Sequence, residues 1–127
     1  MEPITLPHHH GQSIEHLEHM PAVQDFETVS NIFKLLGDAS RLRIFWLLCH
    51  CEECVINISA LVGMSSPAVS HHLKLLKAGG LITSRRDGKE VYYQAVRTRQ
   101  AEALHAMTEQ LVDIACPMPD KEGDSHE

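Results

Sequence analysis

Three of the chain's four cysteines, Cys49, Cys51 and Cys54, fall within six residues. They are spaced C-x-C-x-x-C and interleaved with His50, Glu52 and Glu53. Thiolates are soft ligands, suited to Cu(I), Zn(II), Cd(II), Pb(II) or As(III). Three sulfurs alone fit As(III) or Pb(II), whereas three sulfurs and one nitrogen make a tetrahedral set for Zn(II) or Cd(II). The nitrogen could come from His50, or from His16 and His19, whose i, i+3 spacing puts both on one helical face. His8, His9 and His10 form a run that could bind metal weakly or serve only as a solvated stretch. Redox thiols are the second reading of the cysteine cluster, and incidental cysteines the bland one. His72 and His105 read as packing or surface residues.

A second chemistry lies further along. Between Ser65 and Arg99 stand seven Lys/Arg (Lys74, Lys77, Arg85, Arg86, Lys89, Arg97, Arg99) against Asp87 and Glu90. This is a local charge of +5 in a chain of net charge −6. A basic island in an acidic protein is a footprint for a polyanion. No phosphate-cradling glycine loop, nucleophile–base pair or open-site metal motif is present, so no enzyme is expected.

At 127 residues and 43% hydrophobic, the chain is long enough for one cored domain. No apolar run reaches the roughly 18–20 residues that span a bilayer, and no apolar leader opens the sequence. A cytoplasmic protein is the expectation, and there clustered cysteines are more often ligands or redox thiols than disulfides. Residues 1–22, with three prolines and five histidines, read as a flexible His-rich tail, 23–116 as the domain, and 117–127 as a second flexible tail.

Within the domain, Phe26, Val29, Phe33 and Leu36 recur at helical spacing up to Gly37. A second helix starts at Asp38, a good N-cap, with Leu42, Phe45, Trp46 and Leu48 expected inside. A short third helix runs through "VINISALVG". A fourth, "SSPAVSHHLKLLKAGG", opens on serine caps with Pro67 in its first turn and stops at Gly79-Gly80. "LITSRR" and "KEVYYQAV" flank Asp87-Gly88, a strong hairpin signal. The last helix carries Leu104, Met107, Leu111 and Ile114 at coiled-coil spacing. The expected fold is mainly α (α+β), α-α-α-α-β-β-α, a winged helix-turn-helix. Its outer helices carry apolar stripes that predict a homodimer through the first and last helices. The fourth helix would enter a major groove of double-stranded operator DNA with Ser66, Ser70, His71 and Lys74 outward and Val69, Leu73 and Leu76 inward. Arg85, Arg86 and Lys89 of the hairpin would reach the backbone or minor groove.

The motifs "LLGDASRLRIFWLL", "SSPAVSHHLKLLKAGGLI" and "RRDGKEVYYQAV", which together cover about Val29 to Val96, resemble those of the ArsR/SmtB family of bacterial repressors. The resemblance implies a dimeric repressor that leaves its operator when an inducer, usually a metal ion, binds. Ser66, Ser70 and His71 match the family's reading-helix positions. The family's site on the last helix aligns with Arg97, Arg99, Gln110 and Asp113, and arginines cannot ligate zinc, so that site is expected to be absent. Of the family's cysteine positions at the third helix only Cys54 is matched, with Ile56 at the next. The C-x-C-x-x-C spacing is that of arsenic-sensing members, displaced by five residues. Members that sense reactive sulfur or oxidants pair a cysteine of the second helix with one of the last, regions where Cys49 and Cys116 stand. The expected function is a metal- or metalloid-released repressor. The alternatives are a thiol-redox repressor of the same fold and a metal-binding or interaction protein without DNA binding.

Overall fold

The structure is a computed structural model that describes Pro7–His8 and Met20–Met118. The expectations for His9, His10, His16, His19 and most of both tails lie outside the described residues. Two compact units divide the chain at Lys34/Leu35. The first carries α1 (Val23–Leu35), whose N-terminus is closed by Asp25 accepting from the Ala22 N–H at 3.2 Å. None of its residues is buried, and Phe26, Val29 and Phe33 are exposed.

The second unit runs α2 (Ala39–His50), β1 (Glu53–Cys54), α3 (Val55–Val62), α4 (Ser66–Ala78), β2 (Ile82–Asp87), β3 (Glu90–Ala95) and α5 (Arg99–Ala115). Its largest fully buried side chains are Phe45, Ile44, Ile58, Leu73, Leu76, Leu81 and Val69, drawn from α2, α3, α4 and the entry to β2. α2 packs on α3, α4, β3 and α5 and is the hub of the unit. The caps expected for α2 and α4 hold: the Asp38 carboxylate accepts from the Arg41 N–H at 2.9 Å and Ser65 Oγ from Ala68 at 3.3 Å. Thr98, for which the sequence carried no such expectation, caps α5 in the same way, its Oγ1 accepting from Ala101 at 3.1 Å.

Three details differ from the sequence expectation. Trp46 is exposed and Ile44 takes its place inside, because Ile44, Phe45 and Leu48 share the face toward the core. The hairpin loop is Gly88-Lys89 rather than Asp87-Gly88, since Asp87 pairs with Glu90. Gly88 has φ +66°, the first-position conformation that a type II′ turn requires. Finally, the wing has a third strand. β1 pairs antiparallel with β3, Glu53 opposite Tyr93 and Cys54 opposite Tyr92, giving the sheet order β1-β3-β2. No helix among the described residues is long and apolar enough to cross a membrane.

Candidate DNA interface and metal-ligand cluster

The turn between α3 and α4 is built by Gly63. At φ +70° it ends α3 in the left-handed conformation, its N–H bonded to the Ser59 carbonyl at 2.9 Å. Ser59 Oγ then donates to the Met64 carbonyl at 2.6 Å, and Ser65 caps α4. This closure sets the phase of α4. Val69, Leu73 and Leu76 are buried, as expected, while Ser70, His71 and Lys74 lie exposed on the other side. Ser66 is different: half-buried, its hydroxyl faces Ser59 Oγ at 3.3 Å and so helps to hold the turn. His72 is half-buried between α4 and α2, as a packing residue. Its Nδ1 lies 3.1 Å from the Arg41 guanidinium, and Arg41 Nε donates to the Leu35 carbonyl at 2.6 Å. Burial lowers the His72 pKa, against the pull of Asp38.

In the wing, Arg86 near the end of β2 and Lys89 in the hairpin loop are exposed. Arg85 is engaged elsewhere. Its Nε and Nη2 donate to the two Glu52 carboxylate oxygens at 2.7 and 2.8 Å, and its guanidinium lies 5.0 Å from the Tyr92 ring centre. The side-chain bond to Arg85 lowers the Glu52 pKa and raises that of Arg85. Glu52 belongs to the cysteine segment, so this fork joins that segment to the wing.

The cysteines are placed on three different elements. Cys49 is half-buried in the last turn of α2, and its thiol is pushed up to about 11 by burial and by the Glu109 carboxylate. Cys51 ends α2, its Sγ donating to the Leu47 carbonyl at 3.4 Å, and its pKa is raised by burial and by Glu53. Cys54 is buried in β1 and precedes α3, while Cys116 is exposed after α5. Among the described residues, the one group of three potential ligands within 4.8 Å of one another is not the cysteines. It is His50, His105 and Glu109. The expected ligand His50 therefore meets α5 rather than the sulfurs. His105, read from sequence as packing or surface, is its neighbour. His105 and Glu109 stand at i, i+4 on α5, a spacing that placed both on one face and was the available signal. A cavity of about 250 Å³ beside this group is lined by Cys49, His50, Cys51, Glu102 and His105. Arg97, Arg99, Gln110 and Asp113 are all exposed at the start and along the later turns of α5.

A three-stranded wing behind a glycine-turned helix pair, with a polar face on the second helix, defines a winged helix-turn-helix regulator. The pattern of the family described as "Bacterial regulatory protein, arsR family" matches residues 38–84. An uncharacterised HTH-type transcriptional regulator of Methanocaldococcus jannaschii is 33% identical over 88 residues, 68% of this chain and 99% of that protein. The chain belongs to the ArsR family, a family of regulators and not of enzymes. It is also similar to the cadmium resistance transcriptional regulatory protein CadC of Listeria innocua, 44% identical over 70 residues, or 54% of this chain and 59% of that one. The chain thus spans only about 59% of the length of that relative. Among solved structures, it resembles the homodimeric winged helix-turn-helix DNA-binding domain of a possible ArsR-family regulator from Mycobacterium bovis. The TM-score is 0.65 at 29% identity, over 85% of this chain and 94% of that one.

Proposed function

We propose that this chain is a cytoplasmic, homodimeric, sequence-specific DNA-binding repressor that leaves its operator when a thiophilic metal or metalloid ion binds its cysteine segment. The observation that carries the reading is the exposed set Ser70, His71 and Lys74 on α4, opposite a fully packed face and followed by a wing with free Arg86 and Lys89. Ser70 and His71 read base edges, while Lys74, Arg86 and Lys89 contact phosphates. Ser66 and Arg85 hold the turn and the wing in place. The exposed apolar residues of α1 and of α5 (Met107, Leu111, Ile114) form the dimer surface, as the homodimeric M. bovis domain supports.

Cys49, Cys51 and Cys54 are the proposed inducer set for Zn, Cd, Pb, As(III) or Cu(I), with His50 turned away to α5. The cadmium-resistance relative supports the thiophilic choice. Gathering the three sulfurs requires the segment between α2 and α3 to rearrange. That strains the Glu52–Arg85 fork and so changes the wing. The raised Cys49 thiol slows attack on an oxidant, and an ion that binds there must displace the same proton, because the thiolate is both the reactive and the ligating form.

The test is fluorescence anisotropy on DNA from the region upstream of its own gene, across a salt series and with each ion added. Salt-dependent binding that one of these ions weakens is expected. Absence of any DNA binding would favour a metal-binding or interaction protein. DNA binding that no ion changes would remove the inducer reading.

A further inference from the structure

We propose that His50, His105 and Glu109 form a second, cysteine-independent site for a divalent ion of borderline hardness, with Zn(II) the best fit, bridging α2 to α5. The three ligand atoms make a triangle. His50 Nε2 and His105 Nε2 are 3.0 Å apart, and each lies 3.2 Å from Glu109 Oε2. A tetrahedral ion with bonds of about 2.0–2.1 Å sets its ligand atoms roughly 3.3 Å apart, and an octahedral one sets cis ligands about 3.0 Å apart. The observed edges fall between these values, so an ion can sit above the triangle with little movement of any side chain.

With Glu109 ionised, protons alone leave part of this triangle unsatisfied. Each imidazole Nε2 presents either one N–H or one lone pair in its ring plane. With two N–H groups, both bond Glu109 but the hydrogens oppose each other across the 3.0 Å edge. With one N–H, it serves two edges and leaves a lone pair facing the carboxylate. With none, nothing holds the three together. A cation accepts all three lone pairs at once. Two imidazoles and a carboxylate suit Zn(II) better than the softer ions expected at sulfur. One or more further positions remain open to water, because His50 and Glu109 are about half exposed.

The surroundings orient the ligands. Trp46 Nε1 donates to the same Glu109 oxygen at 3.1 Å, and its ring lies 4.3 Å from that of His50. A hydrogen bond to a coordinating carboxylate fixes its position. The ion would tie the helix that packs on α4 to the helix that carries the apolar α5 stripe. A regulatory effect of that tie rests on the repressor reading; the site itself does not.

Trp46 is the only tryptophan, so its fluorescence reports on this triangle. The reduced full-length protein is titrated with Zn(II), and with Co(II) for its ligand-field absorption, alongside H105Q, E109Q and a C49S/C51S/C54S variant. The expected result is one ion per chain that alters Trp46 emission in the wild type and in the triple-serine variant. In H105Q the affinity falls at least about tenfold, and in E109Q by less. Loss of the Trp46 response in the triple-serine variant, or its survival unchanged in both H105Q and E109Q, would overturn the proposal. So would Zn(II) binding to the triple-serine variant without a Trp46 response, which would assign the ion to the N-terminal histidines. DNA affinity of the metal-free protein is measured separately, so failure here is distinct from failure of the repressor reading.

Discussion

Cys49 should be the slow thiol of this protein, and the size of the effect follows from its position. Half-buried in the last turn of α2 and facing the Glu109 carboxylate, its thiol is pushed up to about 11. At pH 7.5 a free thiol of pKa about 8.5 is roughly one-tenth thiolate, whereas one at about 11 is roughly one part in 3,000. The ratio is roughly 300-fold. A more basic thiolate is intrinsically more nucleophilic, with a Brønsted slope of about 0.4–0.5, which returns roughly 10- to 20-fold. Alkylation of Cys49 should therefore run roughly 20- to 30-fold slower than that of an unhindered thiol, and partial burial slows it further. The assay is a time course of iodoacetamide labelling of the reduced, metal-free protein, read by peptide mass spectrometry with exposed Cys116 as internal reference. E109Q should speed Cys49, since it removes the second cause of the raised pKa. Labelling of Cys49 as fast as Cys116 would refute the reasoning and return the redox reading to the front. The same shift has a sign in stability. A thiol held protonated in the fold stabilises it below about pH 8.5, and that contribution is lost as pH rises toward about 11. The wild-type Tm should fall over that window more than the Tm of C49S, as a thermal melt series will show.

Other expectations follow from single contacts. Arg86→Ala should weaken DNA binding at all sequences alike and reduce the salt slope by about one, whereas Ser70→Ala should relax discrimination between operators; anisotropy on matched and scrambled duplexes separates the two. Leu111→Glu, at an exposed α5 position, should shift sedimentation from dimer to monomer. Gly63→Ala, at φ +70°, should cost about 1–2 kcal/mol by urea denaturation, because a side chain is strained there. Asp38 and Glu52 have lowered carboxylate pKa values, from the Arg41 N–H and from Arg85 respectively. Their contribution is present above the ordinary carboxylate range and is lost as pH falls through it, so D38N should flatten the acid limb of a Tm–pH curve.

Helix α4 was legible because one face had to be apolar at a period of 3.6. Val69, Leu73 and Leu76 could only point inward once Ser65 and Gly79 bounded the helix. The caps were legible for the same local reason. Long-range pairings were not. His50 and His105 meet across 55 residues, and nothing near either one announces the other. β1 has two residues and no periodicity, so it exists only because β3 has an open edge to receive it. Trp46 was drawn inward by its size, yet the α2 face is chosen by Ile44, Phe45 and Leu48 together, which leaves the indole outside to bond Glu109. The hairpin turn slipped by one residue because Asp87 is more useful as a paired strand end than as a turn position.

The short strand β1 also limits which insertions this segment can take. Successive residues along a strand point to opposite faces, so one inserted residue between Cys51 and Cys54 would exchange the sides on which Glu53 and Cys54 point. Such an insertion would expose Cys54, now buried, and turn a neighbouring side chain into the core. A change in cysteine spacing here must therefore come in steps of two, or abandon the strand and with it the seam that makes the cysteine segment the outer edge of the wing.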